Sequence, residues 1–267
     1  MASRLRLALL VAVGATLLAC SGSEGEPGGG EATSSNSGPR RLIADDTLTV
    51  CVDAPKYPFA FQDASQNWLG SDIEIIEAVA DELDLTVAVV TAPFDGIWAA
   101  PATGTCDVAA AAITITPERS SEAAFSVPYM EVEQSLLVRK ADVATYATLA
   151  ALADRPVGVK AGTTSEDHIA SNLPAGATIV SLPETEALFV ALGSSDVDGV
   201  IADFPINGYR STLDTAVTVT ERFSTGEQYG FAVAPDNLGL VDDINDALED
   251  YLSSEDFTDL QFRWFGQ

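Results

Sequence analysis

The sequence predicts an α/β fold of two small lobes, each a mostly parallel sheet flanked by helices. Three observations lead there. β-Branched runs alternate with segments of helical periodicity, the pattern of parallel strands joined by crossover helices. The alternation begins twice, near residue 47 and again near residue 156. The chain has 267 residues, 47% of them hydrophobic and 20% charged, enough to bury a core in each lobe.

The first round opens with TLTVCV (47–52), a strand ending at Asp53. After a Pro-rich stretch, DASQN (63–67) reads as a turn. Ser71–Leu83 then places Ile73, Ile76, Ala80 and Leu83 at helical spacing, and Ser71 with Glu74 three residues on makes a capping box. A strand LTVAVV (85–90), a short helix after Phe94 and the buried-looking strand CDVAAAAI (106–113) complete it. Right-handed crossovers follow from that order. The second round is PVGV (156–159), a helix from Thr164, ATIV (177–180), a helix over Glu184–Leu192 and VDGVIA (197–202). Leu238–Leu252 and Asp256–Phe265 read as closing helices that pack back on an earlier lobe.

Forty acidic against thirteen basic side chains give a net charge of −27, which argues against a nucleic-acid partner. Arg4 and Arg6 precede an apolar run from Leu7 to Ala19, too short to span a bilayer and typical of a secretory signal. LLAC (17–20) resembles a bacterial lipobox, in which Cys20 is lipidated and becomes the N-terminus; the alternative is an ordinary signal peptide with an incidental Cys. Residues 21–41 contain no large apolar side chain and read as a tether with a reach of about 25 Å. The expected organisation is a signal peptide (1–19), a lipidated N-terminus with its tether (20–41), and an acidic globule anchored outside the cytoplasmic membrane.

Ligands of open parallel sheets bind beyond the carboxyl ends of the strands. Asp53, Thr114, Lys160 and Asp203 all stand at such ends, and Arg119 follows Thr116 and Pro117 on the opening turn of a helix. Gly162 and Thr163 precede another helix start. Two helix N-termini, one Arg and one isolated Asp suit an α-amino acid, which needs donors for its carboxylate and an acceptor for its ammonium. Singly, each residue has an ordinary use: Asp203 as a helix cap, Arg119 and Lys160 as solvated cations, Thr114 and Thr116 as strand-end and capping residues. Their joint placement at one edge of both sheets favours a binding site. The only His, His168, reads as a solvated helix residue, and one His with no clustered Cys supplies neither a catalytic triad nor a metal site. No cofactor is expected.

The runs LTVCVDAPKYPFAF, LGSDIEIIEAVADEL, PFDGIWAA, CDVAAAAITITPERSSEAAFSVPYMEVEQSLLV, VGVKAGTTSEDH, VDGVIAD, QYGFAV and FRWFG resemble, in order and spacing, the solute-binding proteins of polar-amino-acid ABC transporters, over roughly residues 42–267. The resemblance implies a two-lobed clamp of the type II periplasmic-binding fold. The chain would cross between lobes near Tyr129–Glu133 and Gln228–Phe231, making one lobe of 42–130 with 232–267 and the other of 131–231. It implies an extracytoplasmic monomer whose partners are a polar amino acid, an ABC permease and, through its lipid, the membrane. Arg119 and Thr114 would hold the ligand carboxylate, Thr163, Thr164 and the helix behind them would add donors, and Asp203 would accept the ammonium. Asp53, Phe94 and Lys160 match positions around the ligand side chain. Two departures stand out. Lys56 replaces an aromatic residue common three places after Asp53, leaving the lid missing or supplied by Tyr57. Ala112 stands where the family often has Gly, altering the close approach of backbone to ligand. Asp53 would welcome a cationic end group and the two lysines would repel it, so the expected ligand is a neutral polar or acidic amino acid, glutamine first, with arginine and lysine as alternatives. Some relatives on this fold are dehydratases of prephenate-like or arogenate-like cyclic acids, which is the rival class.

Once Cys20 carries lipid, Cys51 and Cys106 are the remaining thiols, and outside the cytoplasm such a pair tends to oxidise. Against this, Cys51 lies late in its strand and Cys106 at the start of its own, a register that could hold the Cα atoms beyond about 7 Å. The bridge stays open at this level.

Overall fold

The structure, a computed structural model, describes residues 38–266. The expected signal peptide, Cys20 and the tether as far as residue 37 lie outside the described residues. Arg40 and Arg41, assigned to the tether above, are tied down: Arg40 donates to Asp243 and to the Leu83 carbonyl, and the Arg41 N–H to Asn237.

Strand β1 (Thr47–Val52) buries Leu48, Val50, Cys51 and Val52, the consequence of a strand covered on both faces. The turn that follows is closed by Asp63, whose carboxylate accepts from the N–H groups of Ser65 and Asn67, and it joins the hairpin β2 (Phe61–Gln62) and β3 (Trp68–Leu69). Helix α1 (Ser71–Glu82) does not use the capping box. Its N-cap is Gly70, and its first N–H groups are taken by backbone instead, Ser71 donating to the Pro58 carbonyl and Asp72 to that of Phe59. Among the described residues the buried Ser71 hydroxyl has no partner, and Glu74 turns away to accept from Arg263 and Trp264.

Strand β4 (Thr86–Thr91) pairs in parallel with β1 along its whole length, and β5 (Val108–Ala109) pairs in parallel on the other side. The expected strand 106–113 shrinks to two residues of ladder, and beyond them, at Ala112, the backbone turns left-handed, with φ of 48°. After β6 (Ala124–Phe125) the long strand β7 (Met130–Arg139) begins the second sheet. It is followed by β8 (Pro156–Lys160), α2 (Thr164–Asn172), β9 (Thr178–Leu182), α3 (Thr185–Ser194), β10 (Gly199–Asp203), α4 (Phe204–Leu213) and β11 (Val217–Tyr229). The chain then returns to the first sheet through β12 (Ala232–Val233) and ends in α5 (Leu238–Leu252) and α6 (Glu255–Phe265). Both closing helices pack on α1, as their apolar faces require.

The sheet orders are β4-β1-β5-β12-β6 and β11-β7-β10-β8-β9. The first sheet is parallel from β4 to β5 and the second from β10 to β9; the strands adjoining the two crossings pair antiparallel. The fold is α/β, with sheets more mixed than periodicity alone suggests. A strand re-entering a sheet from a neighbouring lobe need not share the direction set by crossover helices.

Cys51 and Cys106 form a disulfide with Cα atoms 5.7 Å apart. The parallel register pairs Cys51 with Ala109, so the bridge depends on Cys106 lying ahead of β5, where the Asp107 N–H donates to the Thr49 carbonyl and draws the chain alongside β1. The bridge spans a sequence separation of 55. Replacing both cysteines by Ala is therefore expected to cost about 2 to 4 kcal/mol by freeing the unfolded chain. Thermal melts with and without reductant read this; two free thiols in unfolded, unreduced protein lacking residues 1–20 would remove the bridge.

Candidate ligand-binding cleft

The carboxyl edges of the two parallel regions face each other. Asp53 follows β1 and Lys160 ends β8, and their side chains meet as a buried ion pair at 2.5 Å. Thr114 lies beyond β5, bridged to Tyr229 of β11, and Asp203 ends β10. Lys56, Phe94, Ala112, Thr114, Arg119, Lys160, Thr163, Thr164 and Asp203 line one cleft, and Asp53 stands behind Lys160. All ten residues proposed from sequence are thus brought together.

Arg119 opens a single turn of 3-10 helix whose N-cap residue is Glu118, not Thr116 as expected from sequence, although the Thr116 hydroxyl still accepts the Arg119 N–H at 3.2 Å. Its guanidinium is buried; Nη1 donates to the Thr114 carbonyl at 2.9 Å and Nη2 to that of Gly162, across the cleft, at 3.1 Å. It lies on the Trp98 ring, 4.5 Å from the centroid, and Trp98 is held by Glu122. Burial lowers the Arg119 pKa, opposed by the carboxylates of Asp203 and Glu227. Both acceptors at bonding distance are neutral carbonyls, so the fork keeps its charge and further donors for an anion.

Asp203 is the N-cap residue of α4, yet its carboxylate makes no capping bond. It accepts from Gln134 Nε2 and from the Tyr229 hydroxyl, and it is buried. Burial raises its pKa, opposed by the Tyr229 hydrogen bond. Thr163 caps α2, accepting from the Glu166 N–H and donating to the Lys160 carbonyl, so its hydroxyl serves the helix; Thr164 instead turns its hydroxyl to Glu227 at 2.6 Å.

Lys56 is 2% exposed and points inward. Its Nζ donates to the Ala111 carbonyl at 2.6 Å and stands 4.2 Å from the Phe94 centroid. Burial and the neighbouring Lys160 lower its pKa to about 8. Tyr57 is no lid for this cleft: its ring stacks on Tyr209 of α4 and meets Phe61. Ala112 holds a left-handed backbone that favours Gly, and its N–H is anchored by the wholly buried Asp72 at 2.6 Å. Asp72 also accepts from Tyr129, and burial raises its pKa to about 6. His168 departs from the solvated reading; it packs half-buried on Phe223, and burial lowers its pKa.

This cleft lies within the span matched by the family model described as bacterial extracellular solute-binding proteins, family 3, which covers residues 48–267. The chain belongs to that family. ABC transporter arginine-binding protein 1 of Escherichia coli (strain K12) is 28% identical to this solute-binding protein over 231 residues, 84% of this chain and 93% of its own. The solved structure of an ancestral arginine-binding protein bound to glutamine matches with a TM-score of 0.77 at 33% identity, over 84% of this chain and 100% of its own. An ancestral amino acid-binding protein, a precursor of cyclohexadienyl dehydratase, also gives 0.77, at 34% identity over 82% and 96%.

Four residues of this solute-binding protein escaped the reading from sequence. Gln134 shares a face of β7 with Val132 and Leu136, and a polar residue inside such an apolar run was a usable signal. Trp98 stands one helical turn after Phe94. Tyr229 lies in the run expected to cross between the lobes, where no ligand role was assigned to it. Glu227 follows a bulge in β11, and its carboxylate accepts from the hydroxyls of Thr114 and Thr164 and from Gln134. Nothing local marks it, because the register shift that turns it inward belongs to the pairing of β11 with β7.

Proposed function

We propose that this family 3 protein is the substrate-binding component of an ABC importer and captures a polar L-amino acid by closing two lobes around it. The observation that carries the reading is the pair Arg119 and Asp203, a buried cation and a buried carboxylate contributed from opposite sheets to one cleft. Arg119 meets the α-carboxylate as a fork, and Thr114, whose carbonyl holds Nη1 and whose hydroxyl serves Glu227, orients that fork. Asp203 takes the α-ammonium, with Gln134 and Tyr229 fixing its oxygens. Residues 42–130 with 232–267 form one lobe and 131–231 the other, hinged where β7 and β11 enter. The N-terminal signal, lipidated Cys20 and tether hold the protein, a monomer, outside the membrane beside its permease. The reading is of a carrier and not of a dehydratase. The acids at the cleft are tied to fixed partners, Asp53 to Lys160, Asp203 to Gln134 and Tyr229, and Glu227 to Thr114, Thr164 and Gln134, and His168 packs on Phe223.

A thermal-shift screen against the twenty amino acids tests this. A ligand at a hundred times its dissociation constant stabilises the fold by about 2.7 kcal/mol, a rise of roughly 5 to 10 °C for a body of this size. Asp203→Ala is expected to weaken every amino acid that shifts the wild type by about thirtyfold or more, since the ligand ammonium would be buried unpaired. A wild type that no amino acid stabilises overturns the reading.

A further inference from the structure

We infer that the cleft selects an amino acid with a side-chain carboxylate over its amide, and that Lys56 is the residue that decides this. The inference rests on the amino-acid reading above. With Arg119 and Asp203 given to the ligand's α-carboxylate and α-ammonium, and Glu227 held by Thr114, Thr164 and Gln134, the charged side chains left at the cleft are Lys56 and Lys160, with Asp53 paired to Lys160. Lys160 and Asp53 neutralise each other in a buried pair, each side chain 7% exposed. Lys56 has no such partner at bonding distance among the described residues: its ammonium meets the Ala111 carbonyl and the face of Phe94, both neutral. Lys160 and Arg119 also lie over that ring, at 5.2 and 5.5 Å, so its negative face is shared among three cations. A buried ammonium with two donors unspent gains most from a carboxylate, for charge-assisted hydrogen bonds are about twice as strong as neutral ones. A guanidinium or ammonium end group would instead meet a like charge where water is scarce.

Lys56 faces Lys160, Asp53, Asp203 and Asp72. Asp203 is claimed by the ligand ammonium, and Asp72 is spent on Ala112 and Tyr129. With its pKa near 8, Lys56 is mostly charged at pH 7 and mostly neutral at pH 9. Carboxylate binding therefore weakens over that interval, whereas binding of an amide depends on it less.

The test is calorimetric titration of the purified protein with aspartate, glutamate, asparagine, glutamine and arginine at pH 7 and pH 9. Aspartate or glutamate should bind more tightly than its own amide and than arginine, by about tenfold or more, with the margin shrinking at pH 9. Lys56→Met should collapse the acid-to-amide ratio, and Lys56→Arg, which keeps the charge, should retain it. An amide or arginine binding as tightly as either acid, or an acid-to-amide ratio unmoved in Lys56→Met, overturns the inference while leaving amino-acid capture standing. Binding by none of the five overturns the inference, and a thermal screen in which none of the twenty amino acids stabilises the protein removes amino-acid capture as well.

Discussion

Arg119→Ala is expected to abolish amino-acid binding, with affinity reduced about thirtyfold or more, while the lobes stay folded. The guanidinium sits in a slot built for it, between the Trp98 ring and two carbonyls, one from each side of the cleft. Truncation removes the fork and leaves a ligand carboxylate to be buried without a counter-charge, a loss of about 2 to 5 kcal/mol. Arg119→Lys should fail nearly as badly, because a point charge cannot reach the Gly162 carbonyl and grip a carboxylate with two parallel bonds at once. The fold should survive, since its cores are made by apolar residues of the two sheets and their helices. Calorimetry is the measurement, with a thermal melt beside it. Near wild-type affinity in Arg119→Ala would take Arg119 out of the site.

Gly70→Ala acts on the scaffold instead. Gly70 has φ of 124° and ψ of 163°, a region essentially reserved for glycine, and a Cβ there would stand 2.1 Å from the Phe59 carbonyl oxygen. That carbonyl accepts the Asp72 N–H at the start of α1, so it cannot withdraw without unpairing the helix. Strain and clash together should cost about 3 kcal/mol or more and lower the melting point by roughly 6 to 12 °C. Ala60, next in the chain, exchanges backbone hydrogen bonds with Lys56, so the displacement also reaches the residue assigned to ligand choice. A melting point within about 2 °C of wild type would show that the 58–60 segment yields cheaply.

Much of this site was legible because its residues follow strands. A parallel strand covered on both faces must be almost wholly apolar, so the first polar residue beyond it marks the edge where ligands bind. Asp53, Lys160 and Asp203 were found that way, and Arg119 through the capping signal of Thr116 and Pro117. The same local grammar misled at Ser71, where the capping pattern is present but the backbone of residues 58–59 reaches the helix start first.

The alternation of the parallel strands with their helices, its restart in a second lobe and the identity of the polar residues at the strand ends were determined by the sequence alone, because periods of 2 and 3.6 residues record locally which faces are buried. Pairing across the cleft was decided by tertiary structure. Asp53 finds Lys160 across 107 residues, Arg119 reaches Gly162 across 43, Glu227 turns inward through a bulge, and Cys106 meets Cys51 from outside the ladder. Lys56 is the sharpest case. The resemblance placed it beside the ligand, but only the packing of Phe94 and the Ala111 carbonyl around its ammonium makes it a buried charge. Burial sets the free energy of a charge, and burial is a property of the assembled lobes, not of the residues beside it in the chain.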